Sequence, residues 1–196
     1  MLEFWFGPNA DAIEHLKQRN QLWFSADAAV DQKIREQFGA TLEAAAAGEL
    51  KRWKLTPQGT LALVVVFDQF SRNIHRGTPQ AFVHDMRALA LVRDAIAMGT
   101  DEELSLMERS IFYLPLEHAE DLEAQRMSVA CYQRLLSDAP AAYKASLQKA
   151  LDYAVEHYEI VERFGRFPHR NLALDRASTP DENEWLSTNA GKFGQG

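Results

Sequence analysis

Leu61-Ala62-Leu63-Val64-Val65-Val66-Phe67-Asp68-Gln69-Phe70-Ser71-Arg72-Asn73 decides the fold. Its first seven residues are apolar around the whole circumference of a helix, the mark of a segment enclosed by other helices rather than lying on a surface. Just upstream, Thr56-Pro57 supplies an N-cap oxygen and a proline at the first helical position. The spacing therefore predicts a central buried helix over 57–72. Asp68 and Arg72 follow on one face at i, i+4 with Gln69 and Asn73 beside them, so a polar cluster emerges at the end of a buried element.

Helical periodicity governs the rest of the chain. Apolar spacing and caps predict about nine helices, near 10–19, 27–38, 41–48, 57–72, 80–98, 101–113, 116–137, 140–164 and 180–187. Thr78-Pro79 and Thr179-Pro180 repeat the Thr-Pro start, Thr100 to Glu103 and Thr179 to Glu182 have capping-box spacing, and Gly39, Gly48, Gly77 and Gly99 stand where helices should end. No useful period-two run occurs, so no sheet is expected. The fold class is all-α, a multi-helix bundle or tetratricopeptide-like array around the 57–72 helix. Residues 1–188 are expected to form a single domain and 189–196 a frayed tail.

Composition narrows the partners. With 196 residues and 46% apolar content the chain can bury a continuous core, and 21 basic against 28 acidic residues give a formal charge of −7. That balance argues against a surface made for phosphodiester backbones, so no nucleic-acid partner is expected. The segment Met1 to Pro8 lacks the features of a signal peptide, and no stretch approaches the ~20 apolar residues that span a bilayer. The expectation is a cytoplasmic protein without a membrane partner, and size alone suggests a homodimer. Cys131, the one cysteine, allows no internal disulfide and reads as a buried apolar side chain.

On the wheel of the predicted 116–137 helix, Glu117, His118, Asp121, Gln125 and Ser128 share a half with Leu122, Val129, Tyr132, Leu135 and Leu136, whereas Glu120, Glu123, Arg126 and Arg134 face solvent. Inward acids cost several kcal/mol each unless cations, hydrogen bonds or a wet cavity meet them. In the 140–164 helix, His157 lies among Tyr153, Ala154, Val161 and Phe164. The run that follows, Arg163-Phe164-Gly165-Arg166-Phe167-Pro168-His169-Arg170-Asn171, concentrates positive charge in an acidic protein.

These stretches, with Phe4-Trp5-Phe6-Gly7, Asp68-Gln69-Phe70-Ser71-Arg72-Asn73, Arg76-Gly77-Thr78 and Tyr113-Leu114-Pro115-Leu116-Glu117-His118 followed by Glu120-Asp121, resemble the uncharacterised bacterial family known as domain of unknown function 924 over nearly the entire chain. Ser71 departs from the proline expected in that motif. The resemblance implies an all-α, tetratricopeptide-like single domain and carries over no catalytic assignment.

The residues themselves suggest that Asp68, Arg72, Glu117, His118, Asp121, His157, Arg166, His169 and Arg170 converge on one polar cavity. Within it, His118, Glu117 and Asp121 are the catalytic candidates, and Asp68, Arg72, His157, Arg166, His169 and Arg170 the ligand-binding ones. Arginine in two motifs suits bidentate pairing with carboxylate or phosphate, so a small anionic ligand or a peptide carboxylate is the expected partner. Two alternatives stand beside this: a hydrolase-type enzyme acting on an anionic small molecule with His118 as general acid or base, and a purely structural ion-pair network with a protein-interaction role. No cofactor or metal is expected, because the chain has no H-E-x-x-H and no histidine preceded by glutamate three positions earlier. G-x-S-x-G and a P-loop are absent too. Trp5, Trp23, Trp53 and Trp185 are candidate ligand anchors and, more plainly, packing residues.

Overall fold

In the computed structural model, which describes residues 1–189 apart from the side chains of Ile13, His15 and Lys17, the chain winds through α1 (Leu2–Phe6), α2 (Ile13–Phe24), α3 (Ala28–Ala46), α4 (Pro57–Val64), α5 (Ser71–Ile74), α6 (Asp85–Met98), α7 (Leu106–Phe112), α8 (Leu114–Glu117), α9 (Leu122–Asp138), α10 (Ala141–Phe164) and α11 (Pro180–Asn189). Short 3-10 turns link them at Lys51–Leu55, Pro79–Phe82, Thr100–Glu103 and Pro168–Arg170. There is no strand among the described residues, and the fold is all-α. The tail expected to fray lies, beyond Asn189, outside the described residues.

The buried helix starts where its caps place it: Thr56 Oγ1 accepts the Gly59 N–H at 3.1 Å, ahead of Pro57. α4 runs without a break through a π-helical stretch, Val65–Phe70, into α5. In the π stretch the Ser71 N–H reaches back five residues to the Val66 carbonyl. All of 61–74 is buried. The rod packs against α3 and α6, inside an apolar cluster that continues through α7, α8, α9 and α10. Each large apolar side chain buried this way contributes about 1.5–3 kcal/mol.

Three expectations need correction. The helices expected at 27–38 and 41–48 are one, α3, because Gly39 sits inside it and the turn falls to Gly48 at φ 77°. The capping box expected at Thr100–Glu103 belongs instead to Ser105 and Glu108 at the start of α7. The 116–137 helix is broken: α8 ends at Glu117, and Asp121 restarts the chain as N-cap of α9, its Oδ1 accepting the Ala124 N–H at 2.7 Å. Gln125, fully buried, spans the break by donating Nε2 to the carbonyls of Glu117 at 2.6 Å and Ala119 at 2.7 Å. Its inward position thus has a structural use.

α9 and α10 pair as a hairpin across Ala139-Pro140. Gly165, left-handed at φ 69°, ends α10 and turns the chain so that Phe167 to Arg170 come back onto the end of the central rod.

Candidate functional site

Asp68, in the π stretch, is fully buried and is the hub of the polar cluster. Its carboxylate accepts from Gln69 Nε2 at 2.6 Å, pairs with Arg72 Nη1 at 2.9 Å, and meets His118 Nδ1 at 2.8 and 3.0 Å through its two oxygens. Burial works against its charge, but Arg72 and His118 outweigh it and hold the carboxyl well below the usual range. An ionised Asp68 fixes the His118 tautomer: Nδ1 carries the proton and Nε2 keeps its lone pair. Burial, with Arg72 and Arg170 nearby, lowers the His118 pKa in spite of Asp68, so the ring is neutral near pH 7.

Arg72 also donates to both oxygens of Asp85, at 2.8 and 2.9 Å, and to the Asp68 carbonyl at 3.0 Å. Asp85 opens α6, where an acid complements the helix dipole. Arg170 lies beside it, Nη1 at 3.6 Å from Asp85 Oδ2, with its guanidinium carbon 4.9 Å from the Phe82 ring centre and 4.4 Å from that of Phe167. Although buried, the Arg170 guanidinium makes no hydrogen bond among the described residues. Burial, with Arg72 repelling it, pushes its pKa down to about 10.

Glu117 is buried and its carboxyl likewise makes no hydrogen bond among the described residues. The nearest ionisable partner, His157 Nδ1, is 3.5 Å away and already donates to the Tyr153 carbonyl at 2.8 Å. Burial first, then the charges of Asp68 and Glu156, push Glu117 up to about 8, so it is a neutral acid at pH 7. His157 falls to about 3 through burial, and His169 to about 2 through burial and Arg170. Both rings are uncharged.

A cavity of about 440 Å³ opens against this cluster. Arg72, Glu117, His118, His157, His169 and Arg170 form its polar wall, with Gln69 and Asn73; Trp23 of α2, Met107 and Ile111 of α7, Leu114 of α8, and Leu147 and Ala150 of α10 form an apolar wall. Phe24, Tyr153 and Lys149, all exposed, stand at the mouth. Asp68 supports the wall from behind. Among the described residues no three His, Cys, Asp or Glu side chains group closely enough to hold a metal ion.

Two predicted members lie elsewhere. Asp121 is spent on its cap and on Arg93 at 2.7 Å, with its side chain half exposed. Arg166 points away from the cavity into a clamp on Glu182, at 2.6 and 2.8 Å, and on the Ala177 carbonyl at 3.0 Å. Glu120, expected to face solvent, accepts the Phe167 N–H at 2.8 Å and pairs with Arg176 at 2.7 and 2.9 Å.

A family model described as bacterial protein of unknown function (DUF924) matches residues 1–190. The chain belongs to that family. It is similar to a solved structure of a protein of unknown function, ATU0120, from Agrobacterium tumefaciens, at 38% identity and a TM-score of 0.77, over 91% of this chain and 96% of that one. No curated protein matches.

In this DUF924 member, sequence reading missed Asp85, Phe82 and Phe167, which shape the arginine pair, and the apolar wall from α2, α7, α8 and α10. Asp85 had a signal, an acid in the first turn of a helix. The aromatic faces around Arg170 had none, since they come together only in the fold. Of the four tryptophans Trp23 alone lines the cavity; its Nε1 donates to the Trp5 carbonyl at 2.9 Å, which fixes the indole. Cys131 is buried, and burial raises its thiol pKa. No helix among the described residues is long and apolar enough to cross a membrane.

Proposed function

We propose that the cavity between α2, the central rod, α8 and α10 binds a small anionic molecule or the carboxylate end of a peptide, with Arg170 as the principal contact. One observation carries this reading: a buried guanidinium that lines the cavity and makes no hydrogen bond to the described residues. Its unpaired donors open only into the cavity, where an anion makes stronger, charge-assisted hydrogen bonds than water does. Arg72, bound to Asp68 and Asp85, acts as scaffold for Arg170 rather than as a second free hand. His157 and His169, both neutral, serve as hydrogen-bonding groups.

A thermal-shift screen of carboxylated and phosphorylated small molecules tests the reading. A compound at 100 times its Kd stabilises by about 2.7 kcal/mol, or roughly 5–10 °C for a domain of this size. The shift should vanish in Arg170→Gln and persist in Arg166→Ala, whose side chain is outside the cavity. If no compound moves the melting point of the parent, the reading fails.

A second reading, hydrolysis of an anionic substrate, rests on the Asp68 and His118 pair. A neutral ring oriented through Nδ1 presents Nε2 as a base, and the neutral Glu117 carboxyl is an acid in the same cavity. Water would give its proton to Nε2 while its oxygen joins the acyl carbon, and Glu117 would protonate the departing oxygen. Mono-4-nitrophenyl esters of dicarboxylic acids test it: release of nitrophenol should fall at least 100-fold in His118→Asn, and no release above background by the parent rejects it.

A further inference from the structure

We infer that the ligand is an amphipathic monocarboxylate, an aryl- or alkyl-carboxylic acid whose carboxylate meets Arg170 and whose apolar body lies along Trp23, Leu114 and Leu147. This rests on the anion-binding reading and narrows it.

Charge limits the head group to one negative charge. Arg72 is held by both oxygens of Asp85 and by Asp68, and Arg76 by Asp31 at 2.6 and 2.9 Å. Arg170 is left with the spare N–H groups, and its planar fork matches a single carboxylate. A second negative charge on the ligand would lie against Glu117, His157 and His169, all uncharged near neutral pH, with the one other lining cation among the described residues, Lys149, exposed at the mouth. In a desolvated site such a charge is not repaid. Phosphates and dicarboxylates are therefore the wrong class.

Shape and chemistry require a body. A volume of about 440 Å³ far exceeds an inorganic anion and falls within the range of small-molecule pockets. Trp23, Leu147, Met107, Ile111 and Leu114 are buried in the fold yet line the cavity, so a bare anion would leave an apolar wall facing water. Phe24 and Tyr153, exposed at the mouth, offer aromatic faces to the far end of a longer ligand.

The experiment titrates the full chain with four probes, following tryptophan emission and melting temperature: 4-phenylbutyrate, 4-phenylbutanol, acetate and inorganic phosphate. 4-Phenylbutyrate should bind at least tenfold more tightly than each of the other three and change the Trp23 emission. Arg170→Gln should remove at least tenfold from 4-phenylbutyrate and little from 4-phenylbutanol. Ala150→Phe, which fills the apolar side, should weaken 4-phenylbutyrate and spare acetate. If Arg170→Gln does not fold, Arg170→Lys keeps the charge without the fork and should show a smaller loss; an unchanged affinity there overturns the inference. If acetate binds as tightly as 4-phenylbutyrate the apolar body falls, and if phosphate does the single-charge head group falls; either overturns the inference while anion binding stands. If 4-phenylbutanol binds as tightly, or none of the four binds, both fall.

Discussion

Two arginine clusters in this protein look alike in sequence and behave differently in the fold. Around Glu182 and Glu120, Arg166 and Arg176 are matched donor for acceptor: Glu182 also takes the Thr179 N–H at 2.7 Å, and Arg176 reaches Asn171 at 3.0 Å and the Phe167 carbonyl at 3.1 Å. Around Asp68 and Asp85 the matching is incomplete. Arg170 and Glu117 are buried without hydrogen bonds for their charged or ionisable ends, and both face the cavity. The first cluster closes on itself and acts as a strut that ties the 166–182 segment to the start of α9. The second leaves polar groups turned toward the cavity, the asymmetry on which the anion-binding proposal rests.

The largest effect should come from breaking the hub. Asp68→Ala leaves Arg72 buried with one carboxylate fewer and His118 without its orienting partner; removing one member of a buried pair costs about 3–5 kcal/mol, so the melting point should drop by roughly 10 °C or more. In the closed cluster the loss should be smaller. Glu120→Ala strips partners from Arg176 and the Phe167 N–H at a partly buried position and should cost about 1–3 kcal/mol in a denaturant melt. Thr179→Ala removes one cap bond and should cost about 1 kcal/mol, visible as faster amide exchange in the first turn of α11.

Acidity sharpens the contrast, because the cavity's titrating groups are displaced in opposite directions. Glu117 is raised to about 8, so between its ordinary value and pH 8 the folded state holds a proton that the unfolded chain releases, and stability falls as pH rises through that window. Glu117→Gln should flatten this slope and raise the melting point at pH 8.5 relative to the parent. His157, lowered to about 3, is neutral in the fold, and below about pH 6.5 the unfolded chain gains the proton instead. Stability is then lost on acidification, and His157→Gln should lessen that loss in melts between pH 6 and 4.

Much of the architecture was readable because it rests on local chemistry. Thr56-Pro57 and the fully apolar turn after it locate the central rod, and Thr179 to Glu182 places the start of α11. Gly39 misled because a glycine inside a helix and one beyond its end look the same without backbone angles. The 116–137 wheel places Glu117, Gln125, Ser128, Tyr132 and Leu135 inward, where they are buried, but errs at Asp121 for a related reason: this apparent inward acid is a cap, and the helical period survives the break. Glu117, His118 and His157 could be named from polarity in apolar surroundings, and Arg170 from the basic run after Gly165. Arg166 could not be told from Arg170, since the difference lies in which partner, Glu182 or Asp85, the loop presents to each.

The π stretch at Val65–Phe70 takes in one residue more than ordinary winding would use for the same rotation. Removing one position there would restore the α form and leave the end of the rod near its present heading, with Arg72 on Asp85 and Asn73 on Asp31, whose Oδ1 accepts its amide at 2.7 Å. What would move is the stretch itself and Asp68 within it, so the widened turn is the place where the rod loses a residue without unseating the elements on either side.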